Sequence, residues 1–167
     1  MRILGIDPGI GRCGFGLIDG KRALDFGVIT TPENTALPGR LKELYESLNE
    51  VFDCCKPEAI SVEKLFFSKN ITTGIAVAEA RGVVLLVAAQ RGVAVFEYTP
   101  NEIKKTLTGY GVADKATMQE TVRKELGLEK RPKPDDAADA LAAALTHYFL
   151  GRNGLVAQAG TGMGSDI

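Results

Sequence analysis

The chain has 167 residues, 45% hydrophobic and 25% charged, with a net charge of −1 and no apolar run near the roughly 20 residues of a membrane span. These values fit one globular domain with a single core, read as cytoplasmic, and exclude a protein that coats nucleic acid indiscriminately while leaving room for a local basic surface. Cys13, Cys54 and Cys55 follow no metal-type spacing and are expected as reduced, partly buried thiols.

Along the chain, Ile3 to Asp7, Gly14 to Ile18 and Leu24 to Thr30 are short runs separated by Pro8-Gly9 and Asp19-Gly20 turn signals. They predict three strands of a meander. From about Leu37 to Cys55, Leu41, Leu44, Tyr45, Leu48, Val51 and Phe52 recur at steps of 3 and 4, predicting an amphipathic helix that Lys56-Pro57 stops. Ala59 to Glu63, apolar until its last residue, predicts a central strand. A long helix from about Thr72 to Arg91 and a fifth strand from Val93 to Tyr98 follow. Thr99 is a candidate N-cap with Pro100 at the first helical position. Beyond Gly109-Tyr110-Gly111, a helix is expected from Lys115 to Leu126 and a last one from Pro134 to about Leu150. This order describes an α/β protein, a mixed five-stranded sheet with helices on both faces. Residues 1–150 make one domain, and 151–167, with five glycines, a flexible tail.

Asp7 and Glu63 each close an apolar run, so each carboxylate leaves a buried strand at its C-terminal end. Ligands bind at that end of open α/β sheets. If the two strands are neighbours, both acids lie on one rim. Asp136 and Asp139 are three apart on an alanine-rich helix and share a face, which continues through the small Ala140 and Ala143 and lets the helix approach the sheet closely. Part of that pair's signal is the helix dipole, which favours acids at an N-terminus. Four carboxylates gathered without basic residues between them repel, and hard divalent cations relieve the repulsion. Oxygen-only donors suit Mg²⁺ or Mn²⁺ rather than zinc. Two such ions about 4 Å apart clamp a phosphodiester. The bland reading is four unrelated turn or cap residues, but the strand-end acids have no capping role. Asp135 points about 100° away on the helix and is taken as a cap. His147 lies on the acidic face about three turns on and is taken as a helix-end residue.

Phe66 and Phe67 stand between Lys64 and Lys69 directly after Glu63. Two readings are open for the aromatics, stacking on a base and anchoring the loop to the core; Phe66 is assigned to the first. Lys104, Lys105 and Lys115 flank the glycine-bearing loop and can hold phosphates or be plain solvated lysines. Between Asn101 and Lys133 basic residues outnumber acids eight to five, and between Pro32 and Glu63 acids prevail seven to three.

Taken together, Gly5-Ile6-Asp7-Pro8-Gly9 with Gly14-Phe15-Gly16, Val62-Glu63 with Phe66 and Lys69-Asn70, Ala80-Arg81-Gly82, and Asp135-Asp136-Ala137-Ala138-Asp139-Ala140-Leu141-Ala142 resemble the RuvC family of bacterial Holliday-junction resolvases. The resemblance runs from Met1 to about Leu150. It implies a ribonuclease H-like fold and a homodimeric, Mg²⁺-dependent endonuclease, with Mn²⁺ as a substitute and two ions per site. Such an enzyme nicks opposed strands of four-way junction DNA and leaves 5′-phosphate ends. It places the catalytic, metal-binding acids on Asp7, Glu63, Asp136 and Asp139, the base-stacking aromatic on Phe66, and DNA contacts on Lys104 and Lys115; Lys69, beside the aromatics, is taken as a DNA contact as well. It also implies RuvA and RuvB as partners. The helix from Thr72 to Arg91, apolar on more than one face, is the candidate dimer interface. The main rival, a phosphotransferase of the actin and sugar-kinase type, shares the sheet but needs a second domain that 167 residues cannot supply.

Overall fold

The computed structural model describes residues 1–64 and 71–152, with backbone alone for residues 71–73 and 152. Phe66 and Lys69, and the expected tail from residue 153, lie outside the described residues. Strands β1 (Arg2–Asp7), β2 (Arg12–Asp19) and β3 (Arg22–Thr30) form the expected antiparallel meander. Helix α1 (Leu37–Cys55), β4 (Ala59–Glu63), α2 (Ile71–Gln90) and β5 (Ala94–Tyr98) follow, then α3 (Pro100–Thr108), α4 (Lys115–Glu125) and α5 (Asp135–Arg152). The sheet order is β3-β2-β1-β4-β5, with β4 parallel to both neighbours. Ile6 lies opposite Val62, so Asp7 and Glu63, the next residues, leave the sheet at the same rim.

Side-chain alternation sorts the sheet into two faces. Leu4, Ile6, Cys13, Leu17, Ile60 and Val62 pack against Leu44, Leu48 and Phe52 of α1 and Val84 and Val87 of α2. On the other face Ile3, Ile18 and Tyr98 join Leu141 and Leu145 of α5, Ile103 of α3 and Met118 and Val122 of α4. Asp7 and Glu63 fall in the second set, two residues on from Gly5 and Ser61.

Helix α5 lies unusually close to the sheet, because both surfaces are stripped of bulk. Ala137, Ala138, Ala140, Ala143 and Ala144 are buried on the helix. Gly5 on β1 faces Gly16 on β2, and Gly14 faces Asp7. A Cβ on Gly5 would stand 1.8 Å from the Ala140 carbonyl oxygen, and one on Gly14 would stand 2.1 Å from that of Asp136. Ser61 Oγ donates to the Ala143 carbonyl oxygen at 2.6 Å, tying β4 to the same helix. Each contact sits about one turn further along α5, and the N-terminal turn is thereby pressed onto the rim.

Local signals act as expected elsewhere. Thr99 and Glu102 form a reciprocal capping box on α3. Lys56, in the left-handed region at φ 46°, ends α1 just before Pro57. Cys13 and Cys55 are buried and Cys54 is exposed, which differs from the expectation of three partly buried thiols; all three are free. Burial pushes the Cys13 thiol up to about 12. No helix among the described residues is long and apolar enough to cross a membrane.

Candidate active site

Asp7 stands at the rim where β1, between β2 and β4, meets α5. Burial raises its carboxyl to about 7, reinforced by the charges of Asp139, Glu63 and Asp136 and opposed only by Lys115. All three other predicted acids therefore act on this one group. Glu63 is raised by burial and then by Asp139, with Lys104 opposing. Asp139 is raised as well, since its burial outweighs the pull of Lys115. Glu63 and Asp139 share a cleft of about 80 Å³ whose walls include Lys104, Ile103 and Met118. Charge and one shared cleft thus link acids from β1, β4 and the first two turns of α5.

Basic residues do stand among these acids, contrary to expectation. Arg12 Nε donates to Asp136 Oδ2 at 2.8 Å. Lys115 Nζ lies 3.3 Å from Asp139 Oδ2 and 3.2 Å from Asp135 Oδ2. Burial works against the Lys115 charge, but Asp139 and Asp135 hold it raised. A signal for Arg12 exists in the strand period: it precedes Gly14 by two residues and shares its face, and Gly14 is where the Asp136 backbone rests. A strand begun at Gly14 hides it by leaving Arg12 in the turn. The signal for Lys115 is its position directly after Asp114, which caps α4 by accepting from the Thr117 N–H. Asp135 is not a cap. It belongs to the first turn of α5 and accepts from Lys115 and from Gln119 Nε2 at 2.9 Å.

With two acids turned toward cations, no group of three or more His, Cys, Asp or Glu side chains among the described residues stands in a ligating arrangement. The acids converge in charge, while a coordination shell would need Asp136 and Asp139 to reorient. The donor chemistry fits a hard divalent cation: carboxylate oxygens alone, with a strand-end acid whose ionised form its surroundings oppose.

His147 differs from the expectation. It is neither at the site nor a helix-end residue but 3% exposed in the core, where Nδ1 shares a hydrogen bond of 2.8 Å with the Tyr98 hydroxyl. Its ring stacks on Phe96 at 4.0 Å between centroids. Phe66 and Lys69 fall on the segment outside the described residues; the last described residue before it, Lys64, donates its N–H to the Tyr98 carbonyl oxygen at 2.8 Å.

Comparison with known proteins places this arrangement among relatives. A family model described as crossover junction endodeoxyribonuclease RuvC matches residues 3–147. A protein of that description from Brevibacillus brevis is 48% identical over 151 residues, covering 88% of this chain and 91% of its own. One from Gloeobacter violaceus is 51% identical, covering 89% and 88%. Among solved structures, Thermus thermophilus RuvC in complex with a Holliday junction substrate has a TM-score of 0.88 at 38% identity, covering 93% of this chain and 97% of that one. The yeast mitochondrial resolvase Ydc2, with a TM-score of 0.59 at 17% identity over 88% and 78% of the two chains, shares the fold.

Proposed function

The chain belongs to the RuvC family of crossover junction endodeoxyribonucleases, and on that footing we propose that Asp7, Glu63, Asp136 and Asp139 form its divalent-cation site and cut four-way junction DNA there. The observation that carries the reading is that Asp7 and Glu63 leave neighbouring strands at one rim onto which the N-terminal end of α5, with Asp136 and Asp139, is pressed; burial and the charges of the three other acids raise the Asp7 carboxyl to about 7 there. A divalent cation would offset the opposed charges of a carboxylate in that setting. Mg²⁺, or Mn²⁺ in its place and as a pair by analogy with other phosphodiester sites, would supply an activated water and a stabilised leaving oxygen.

The protein's own groups do the rest. Asp7 ends a strand that is paired on both sides up to Ile6 and is itself paired with Gly14, so it is the rigid reference of the site. Glu63 and Asp139 wall the cleft, and Asp136 closes the side toward β2. Lys104 and Lys115 lie next to these acids and are assigned to backbone phosphates, which they would hold while the scissile linkage meets the acids. Phe66 and Lys69, on the segment that follows Glu63, are assigned to the DNA, Phe66 by stacking on a base. The Thermus relative was solved in complex with a Holliday junction substrate, which supports the same substrate class here. An isologous homodimer built on α2 would set two such sites at a fixed separation for paired nicks leaving 5′-phosphate ends. RuvA and RuvB are the expected protein partners, and the cytoplasm the expected compartment. Residues 1–150 are assigned to the nuclease domain and the remainder to a tail, although α5 itself continues to Arg152.

Incubation with a synthetic four-way junction and a linear duplex, with and without Mg²⁺, tests the reading. The protein is expected to cut the junction only when Mg²⁺ is present. Asp7→Asn is expected to retard the junction in a gel yet leave it intact. Cutting by that variant, or cutting in chelator, would overturn the assignment.

A further inference from the structure

Arg12 has no part in the cutting chemistry proposed for the site, yet it touches one of the four acids. Its placement is not casual. Gly9 makes the turn that brings the chain back into β2, since a Cβ there would stand 2.3 Å from the Arg12 carbonyl oxygen. Two residues along from Arg12, Gly14 seats the Asp136 backbone on the same face. Strand alternation then carries the Arg12 side chain over Asp136, where Nε donates to Oδ2 at 2.8 Å. The side chain is 52% exposed, against 28% for Asp136, so the guanidinium sits on the solvent side of the carboxylate.

A carboxylate oxygen engaged by a guanidinium is turned away from a cation, and the fixed positive charge beside it repels a second one. Asp136 is also among the acids whose charge bears on Asp7. We propose that Arg12 is a positioning residue that holds Asp136 in reserve and competes with divalent cations for it, so that the protein takes up metal less readily than its four acids alone would allow. A metal that recruits Asp136 requires the guanidinium to yield. Because the pair is half exposed, the competition is modest and reversible, a tuning of the metal threshold and not a lock. The inference rests on the metal-site reading and concerns how that site is regulated.

Direct titration with MnCl₂ at pH 8, in low salt and without DNA, reads the effect without catalysis; the resonance of free Mn²⁺ reports the unbound ion. Arg12→Gln and Arg12→Ala are expected to bind Mn²⁺ about two- to fivefold more tightly than the parent, the range a half-exposed ion pair supplies. Arg12→Lys keeps the charge and is expected to stay near the parent. The Mn²⁺ concentration for half-maximal junction cutting should fall with the affinity gain in the first two variants. Equal or weaker Mn²⁺ binding by both variants, with the parent's affinity still dependent on Asp136 (tested by Asp136→Asn), would overturn the role of Arg12 alone. Parent affinity that ignores Asp136→Asn would overturn the metal-site reading and this inference together.

Discussion

Above pH 7 the Asp7 carboxylate is ionised where burial and three other acids oppose its charge. In the unfolded chain the same group titrates at its ordinary 3.8, so between that value and about 7 the folded state holds the extra proton. The stability linked to this group is therefore complete below about 4 and is lost as the pH rises through 7. Without metal, Asp7→Asn is expected to melt higher than the parent at pH 8, with a gain of order 2 kcal/mol after allowing for solvent at the rim. The gain should shrink to nothing toward pH 4; a variant no more stable than the parent at pH 8 contradicts the electrostatic picture. The same proton must leave before a dication enters, so Mn²⁺ affinity measured by calorimetry should fall steeply below pH 7. His147 makes the opposite case, a polar group built into the core. Tyr98→Phe removes its hydrogen bond and is expected to cost about 1 kcal/mol in denaturant titration while junction cutting per folded molecule is unchanged.

At the scale of elements, the close seat of α5 on the sheet decides where Asp136 and Asp139 stand. Gly14→Ala puts a methyl group 2.1 Å from the Asp136 carbonyl oxygen, so the helix must lift. We expect a loss of roughly 1–3 kcal/mol together with most of the cutting activity. Gly82→Ala is the contrast: within one chain a Cβ there meets nothing within 4 Å, and in the middle of α2, measured in a Leu86→Glu background that removes the proposed contact with a second copy, it should add up to about 1 kcal/mol. Thermal unfolding of the two variants checks the pair, and similar losses for both would contradict the packing account. Half of this contact is legible in the sequence. The small residues after Asp139 announce a helix that can come close, whereas Gly5, Gly14 and Gly16 read only as features of short strands and turns. A glycine in a strand does not say what presses on it. Arg12 escapes sequence reading for a related reason, because a strand started at Gly14 leaves its neighbour without a face. Lys115 stands out for its charge, but its pairing with Asp139 depends on how α4 leans on α5, a tertiary fact that no local period encodes.

At the scale of the molecule, the order of elements and the two strand-end acids are open to sequence reading because apolar runs mark buried strands and their ends mark the rim. The pairing around the acids is not: Lys104 and Lys115 stand out as candidates for phosphate, but their place beside the acids, like that of Arg12, depends on three different elements meeting at the rim. The large apolar residues Ile75 and Leu86 of α2 remain 51% and 50% exposed, an apolar surface suited to a second copy. Leu86→Glu is accordingly expected to shift the chain from dimer to monomer in sedimentation and to uncouple the two nicks of a junction. A parent that sediments as a monomer at micromolar concentration would rule this out. Whether the four acids hold metal is answered most directly by anomalous diffraction from a crystal soaked in Mn²⁺ at pH 8. Manganese is expected at Asp7, with Asp136 or Asp139 swung off its cation to join it. A map with no manganese peak at Asp7, and with Arg12 and Lys115 still on their carboxylates, would contradict the metal-site reading.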